Sequence, residues 1–429
     1  SMVKIIVNVE ILVNILQLKV EFKILMLEVA VMYSLSLPNL KVIIGQKKIT
    51  PLILRPFDNL VKNFFKEISK DIFSNKQNKN HKDLIYLAFF LRNQNNYSHC
   101  DKFIDSRLGR GLTLHICTEN VPLNFAYSLF FGLLYGNTNL VKLPEKDFDQ
   151  NILLIKILKK YLKLNKYKLL RKYIYLFKYD KNPDITDYLS SISDVRMIWG
   201  SDNTISLFKK FNTKPRVVDL FFSSRKSFSI IDLDKYQKLK KNEKKLLSEK
   251  YFKDCMLFNQ LGCSSPNIIL WYCKNKNISK KNVDFFWKDI LSLFNTNYDI
   301  DLFQSSKRFE ILNEIILESR SKSKINSFDE KFYVLDHQIS KFDLKNNRSF
   351  AGIFHQYFIN NLKEIAKLNY KEIQTLSVFG IDKKILLERI LNNSILGIDR
   401  IVNIGESLEM SSKWDGYDLK NFLTRIIDT

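Results

Sequence analysis

The chain is poor in the residues on which several chemistries depend: 429 residues include only twelve glycines, five histidines and five cysteines. Cys100, Cys117, Cys255, Cys263 and Cys273 are odd in number and form no C-x-x-C. A disulfide framework or zinc knuckle is therefore not expected, and a reducing cytoplasm fits best. The histidines at 81, 99, 115, 337 and 355 have no ligand spacing, and H-E-x-x-H is missing, so they are expected to be structural and no metal is expected. Neither a P-loop nor G-x-G-x-x-G occurs. Gly109-Arg110-Gly111 lacks the third glycine and precedes a strand-like run. Acidic residues are also short, 45 against 68 Lys+Arg, leaving a net charge of +23. An anionic ligand is one reading of that excess and compositional bias is the other. The lysines are spread along the whole chain, and no Arg-rich cluster or zinc-finger spacing points to nucleic acid. Long apolar runs are scarce too. The longest uncharged run, 120–141, is 22 residues but holds Asn120, Pro122, Asn124, Asn137 and Asn139. It reads as a buried helix between two turns, not as a membrane span.

What is abundant is core material: 45% hydrophobic residues, with 33 Phe and 19 Tyr. That is enough for two or three domains. Ser1-Met2 reads as a leftover residue ahead of a native Met, and no signal peptide is expected after it. Residues 3–45 carry short alternating patches that suggest strands. Helical spacing covers Leu60–Phe73, 75–82 reads as a surface loop, and Asp83–Leu91 begins another helix. From 109 onward strands and helices alternate. Strands are expected at Leu112–Ile116, Asn139–Leu143, Tyr173–Phe177, Val195–Trp199 and Ser227–Ile231. Helices are expected at Asn124–Tyr135, Gln150–Leu162, Asp187–Ser193 and Thr204–Phe211. Such alternation gives an α/β fold with a doubly wound parallel sheet. The expected division is a strand-rich segment 1–54, a dinucleotide-binding domain 55–231, a second α/β domain 232–395 around Cys263, and a tail 396–429. Ser319–Lys324 is read as a mobile polar loop.

Cys263 sits in Phe258-Asn259-Gln260-Leu261-Gly262-Cys263-Ser264-Ser265-Pro266, between the amphipathic run Lys235–Met256 and the apolar run Ile268–Tyr272. The pattern is helix, tight loop, cysteine, strand. A lone cysteine is commonly a small buried hydrophobe. Here loop formers surround it, and a thiol on such a loop can meet backbone N–H groups that stabilise thiolate and oxyanion. Three further segments stand out: Glu119-Asn120-Val121-Pro122, Gly136-Asn137-Thr138-Asn139-Leu140-Val141-Lys142-Leu143-Pro144-Glu145, and Trp199-Gly200-Ser201. Each alone reads as a turn. Trp199-Gly200-Ser201 also suits a pyrophosphate at a helix start.

Together, and in this order, these segments resemble the aldehyde dehydrogenase superfamily. Within it they resemble the acyl-thioester reductase branch, the fatty-acid reductase of bacterial luminescence and its acyl-CoA reductase relatives. Arg55-Pro56-Phe57-Asp58, Gln374-Thr375, Gly397-Ile398-Asp399-Arg400 and Trp414-Asp415-Gly416 extend the resemblance over roughly 55–425. It implies an aldehyde dehydrogenase-like fold with a cofactor domain and a catalytic domain. Cys263 would be the nucleophile and Asn120 an oxyanion donor. Lys142 and Glu145, at K-x-x-E spacing, would hold the adenosine ribose, and Gly200 with Ser201 the pyrophosphate. The implied cofactor is NADPH, with NADH possible, and Glu145 is expected to turn outward to solvent or Lys146. Two departures are visible. Asn259 to Cys263 is one residue shorter than the dehydrogenase N-x-G-Q-x-C. Phe222 stands where oxidising relatives carry the Glu that activates water. An apolar residue there keeps water from an acyl-enzyme, which argues for reduction of a thioester to an aldehyde. The implied partners are acyl-CoA or an acylated carrier or synthetase protein. A homo-oligomer or a complex with an acyl-activating enzyme is compatible with this. A non-catalytic scaffold on the same fold and a basic nucleic-acid-binding protein are the readings it competes with.

Overall fold

Two sheets joined by a three-residue crossing form the framework. The computed structural model describes residues 32–93, 106–119, 121–274, 280–298, 300–319 and 324–428. The first sheet takes strands β1 (Lys41–Ile44), β2 (Leu112–Ile116), β3 (Thr138–Lys142), β4 (Ile174–Lys178), β5 (Val195–Trp199) and β6 (Val218–Phe222) in the order β1-β4-β3-β2-β5-β6. All neighbours are parallel except the edge pair β1–β4. The chain runs outward from β2 through β3 to β4, then returns to β5 on the other side of β2. That reversal is a topological switch point, where α/β sheets leave a crevice at the carboxyl ends of their strands.

The second sheet takes β7 (Lys226–Asp232), β8 (Ile268–Tyr272), β9 (Lys324–Asp329), β10 (Phe332–His337), β11 (Ile353–Ile359), β12 (Ile373–Phe379) and β13 (Arg400–Asn403). Their order is β9-β10-β11-β8-β7-β12-β13, and only β9–β10 is antiparallel. The expected strand 227–231 is therefore real, but it is not part of the first unit. It is the middle of β7, paired with β8 and β12. Its residues from Ser227 to Asp232 are buried because elements cover both faces, as for any central parallel strand. The tail contributes the edge strand β13, a short hairpin, and Thr424–Ile426, which pairs with Arg107–Gly109.

Most expected helices form, with shifted ends. The helix expected from 187 starts at Pro183, because the Asn182 side chain accepts the Ile185 N–H at 3.1 Å and proline is tolerated in the first turn. The helix expected over 204–211 spans Asp202–Phe208, capped by Ser201. The run Lys235–Met256 divides into Leu233–Gln237 and Lys241–Met256. The loop expected at 75–82 contains a 3-10 turn, Lys76–Asn80, whose Asn78 is buried and donates to Ile72 O. The first 31 residues, and 320–323 of the expected mobile loop, lie outside the described residues.

The uncharged run folds as anticipated. Every residue of the helix Asn124–Leu134 is buried against the first sheet. Gly132 lets that helix approach β3, since a Cβ there would fall 1.8 Å from Asn139 Oδ1. The same Oδ1 accepts a hydrogen bond from His115 at 3.0 Å, and the other ring nitrogen of His115 bonds Ser128 Oγ at 2.7 Å. Fully buried and without a carboxylate partner, His115 has its pKa pushed down to about 4.

Below its ordinary pKa of about 6.5 the unfolded chain binds a proton that folded His115 does not, so the lowered pKa costs stability as pH falls from about 6.5 to about 4. The limiting slope is about 1.4 kcal/mol per pH unit. His115→Gln lacks this contribution. Urea unfolding across that range should show the variant losing ground to wild type least at the acidic end, and a pH-independent difference would place a charged histidine in the core.

Candidate active site

The cysteine loop is held by backbone conformation and by buried hydrogen bonds. After the helix Lys241–Met256, Asn259 and Gln260 adopt left-handed φ values of 54° and 64°, which turn the chain sharply. Gln260 fixes the turn. Its side chain donates to Ile353 O at 3.0 Å and accepts the Gly352 N–H at 2.8 Å, so the loop is tied to the start of β11. Downstream, Tyr251 OH donates to Pro266 O at 2.8 Å. Ser227 Oγ, from β7, donates to Cys263 O at 2.7 Å. Three elements thus set where the thiol stands.

Cys263 opens onto a cavity of about 280 Å³ between the two sheets. Trp199, Phe222, Phe258, Met410 and Trp414 supply apolar wall; Arg225, Gln374 and Asp415 supply the polar part. Trp199 and Phe222 are register partners at the ends of β5 and β6, and their rings stack at 3.8 Å. Trp199 Nε1–H donates to Ser128 Oγ at 3.2 Å, which ties this stack to the His115 cluster. Phe222 faces the cavity that Cys263 faces, the arrangement the sequence comparison with oxidising relatives required.

Cys263 is exposed and lines the cavity. Protein atoms on its other sides desolvate it and push its pKa up, and the nearby Asp415 charge acts in the same direction. The Arg225 backbone N–H, the Arg225 charge and the backbone N–H of Cys263 itself oppose that rise. Thiolate is thus disfavoured by burial yet supplied with the donors that would receive it. Cys255 and Cys273 are buried and Cys117, on the neighbouring groove, is partly buried, so Cys263 is the most exposed thiol among the described residues.

A second groove, about 650 Å³, lies at the carboxyl ends of β2, β3, β4 and β5. Lys142, Glu145, Gly200 and Ser201 all line it, together with Glu119, Tyr179 and Lys181. It meets the cysteine cavity at Thr118, Trp199, Gly200 and Ser201. A Cβ on Gly200 would come within 2.7 Å of Thr204, so glycine keeps this turn low against the groove. Glu145 is exposed to solvent, one of the two orientations expected of it. Its carboxylate pairs with Lys142 at 3.4 Å, while Lys146 lies over the Phe148 ring. Glu119 accepts the Glu145 N–H at 2.8 Å, which orients the turn so that side chain and ammonium meet. Asn120 lies outside the described residues; its neighbours Thr118 and Val121 line the cysteine cavity.

Sequence reasoning assigned no role to Arg225, Gln374 or Asp415. Arg225 pairs with Asp399 and approaches Asp415 at 3.5 Å, and Gln374 Nε2 donates to Asp415 Oδ1 at 2.6 Å. The available signal was Asp415-Gly416, a dipeptide favoured in tight hairpins. It joins the two-residue strands Lys413–Trp414 and Tyr417–Asp418 with φ values of 55° and 77°.

The acyl-CoA reductase (LuxC) family profile matches residues 58–285, more than half of the chain. The protein belongs to the acyl-CoA reductase (LuxC) family. Membership places it among aldehyde-related oxidoreductases. No curated protein sequence matches it. Solved structures establish the aldehyde dehydrogenase-like fold. The NADP complex of glyceraldehyde-3-phosphate dehydrogenase GapN from Methanocaldococcus jannaschii superposes with a TM-score of 0.59 at 15% identity, over 86% of this chain and 88% of that one. A lactaldehyde dehydrogenase gives 0.59 at 13% identity over 86% and 84%. Aldehyde dehydrogenase 21 from Physcomitrella patens, complexed with succinate, gives 0.56 at 10% identity over 86% and 85%. In this LuxC family member, no group of His, Cys, Asp and Glu among the described residues could hold a metal ion, and no described helix is long and apolar enough to cross a membrane.

Proposed function

We propose that the protein reduces an acyl thioester to an aldehyde through an S-acyl intermediate on Cys263. The donor would be acyl-CoA or an acyl group on a carrier or synthetase protein. The observation that carries this reading is an accessible thiol in a cavity whose facing wall, at Phe222, is apolar. Hydrolysis of an acyl-enzyme needs a base aimed at water, and Phe222 cannot be one. The stacked Trp199–Phe222 pair instead offers an apolar surface to the cavity that Cys263 lines.

In this reaction the Cys263 thiolate attacks the thioester carbon. Its own backbone N–H and the side chain of Asn120 are the proposed oxyanion donors, each typically worth roughly 3–4 kcal/mol. The carrier thiol departs, leaving acyl-Cys263. When bound, a reduced nicotinamide supplies the hydride. The residues present fit such a dinucleotide: the groove lies at the switch point, Gly200 leaves no side chain in the way, and the groove opens into the cysteine cavity. Gly200 and Ser201 would hold the pyrophosphate and Lys142 with Glu145 the adenosine ribose. Collapse of the reduced adduct releases aldehyde and restores the Cys263 thiolate.

For the cofactor we favour NADPH. The Lys142–Glu145 pair is long and Glu145 is 44% exposed, so it resembles the surface ion pairs that contribute little. A 2′-phosphate can take Lys142 from it at small cost. Glu145→Gln should leave kcat/KM for NADPH nearly unchanged. A wild-type preference for NADH that this substitution erases would instead assign Glu145 to the ribose hydroxyls.

Phe222→Glu tests the direction of the chemistry. It should convert the protein into one that releases free acid from an acyl thioester with no nicotinamide present. If acid release stays at the wild-type level, Phe222 does not guard the acyl group and the argument for reduction loses its support.

A further inference from the structure

An acyl transfer onto a thiol needs a group to take the thiol proton and return it to the departing thiol. Among the described residues, the ionisable groups lining this cavity besides Cys263 are Tyr127, Arg225 and Asp415. Tyr127 is buried and its phenol is pushed far above its ordinary range by desolvation, with Asp83 adding to the rise, so it is no base. Arg225 carries no lone pair to accept a proton. The described histidines 81, 115, 337 and 355 do not line the cavity. Asp415 does. Its side chain is only 3% exposed, and the hairpin turn delivers it to the wall that Cys263 shares.

We propose that Asp415 is the proton carrier for Cys263. This deepens the thioester reading and rests on it. Asp415 carboxylate takes the proton from Cys263 S–H, the freed thiolate forms the new C–S bond, and the carrier's C–S bond breaks. The departing thiolate recovers that same proton from Asp415 carboxylic acid, so the acyl transfer is proton-neutral. When bound, a reduced nicotinamide would supply the hydride that converts the acyl group to aldehyde, and the Cys263 thiolate released as the C–S bond breaks takes one proton from solvent.

Electrostatics favour this exchange. Among the described lining residues the cation is Arg225, whose guanidinium pairs with Asp399 and approaches Asp415 at 3.5 Å while its backbone N–H serves the Cys263 sulfur. Moving the proton from sulfur to carboxylate leaves the net charge of the cavity unchanged. Two anions in this space would repel, which is why the Asp415 charge pushes the thiol pKa up. Burial likewise raises the Asp415 pKa, while the Arg225 charge and the Gln374 amide oppose that rise. The other ionisable groups facing Asp415 are Asp399, Arg400 and Tyr417.

Asp415→Asn is a clean probe, because Asn-Gly suits the same positive-φ turn. Three measurements on the full chain separate the outcomes. Acylation of Cys263 by octanoyl-CoA, followed by intact mass at pH 7, should slow about 10²–10³-fold, within the range for losing a general acid–base. Acylation by an octanoyl aryl thioester, whose leaving thiol needs little protonation, should slow far less. Alkylation of Cys263 by iodoacetamide should persist, with its pH profile moved to lower pH because the like charge has gone. Unchanged octanoyl-CoA acylation overturns the proposal, and so does an equal loss of all three reactions, which marks a merely structural residue. If neither ester acylates wild-type Cys263, the thioester reading falls. The alkylation profile still decides the Asp415–Cys263 coupling: a shift upholds it, and an unmoved profile overturns it.

Discussion

The crossing between the two sheets is the constraint on which the site depends. Phe222 ends β6 and Lys226 begins β7, so only Ser223, Ser224 and Arg225 separate them. Those three residues cannot drift, because both flanking strands are fixed by parallel neighbours. Arg225 adds a lock by pairing with Asp399, 174 positions away, and donating to Ile373 O at 2.7 Å. Lys226 Nζ secures the far side through the carbonyls of Leu344 and Asn347. The Cys263 loop packs directly against this crossing, and the thiol contacts the Ser223 carbonyl region at 4.0 Å. A thiol, an apolar wall and a guanidinium are thereby placed together by this three-residue crossing.

That placement explains why the cavity has two unlike halves. The half belonging to the first sheet is aromatic: Trp199 and Phe222 come from adjacent strand ends, and Tyr417 meets Phe222 edge-on at 5.6 Å. The crossing, the second sheet and the tail add a polar cluster in which Arg225 and Gln374 both meet Asp415, beside the apolar Met410 and Trp414. A dry wall beside a compensated charge is the environment in which fixed donors act most strongly on a developing oxyanion.

Much of this was legible in the sequence, and for physical reasons. Cys263 stood out because Asn, Gly, Ser and Pro around a thiol cannot form core. The buried helix after 120 was readable because its lack of charge coincided with flanking turns. Gly200 and Ser201 were readable as a strand–helix junction. Other features were hidden. The strand 227–231 looks like its predecessors, and nothing local tells a parallel strand which of two sheets it will join. Glu145 faces solvent as expected, but its pairing with Lys142, oriented by the hydrogen bond from its backbone N–H to Glu119, was not readable locally. Arg225 looked like one more basic residue in a lysine-rich chain. Its partners Asp399 and Asp415 lie so far along the sequence that only the folded chain makes the cluster apparent.

The account's central claim is that Cys263 carries an acyl group protected from water. Intact-mass measurement after mixing the protein with an acyl thioester, with no nicotinamide present, tests it most directly. The account predicts one acyl adduct, mapped to Cys263, absent in Cys263→Ala and persisting until reduced cofactor is added, when it is lost as aldehyde. An adduct on another residue, or rapid loss of the acyl group as free acid before cofactor is added, would contradict it.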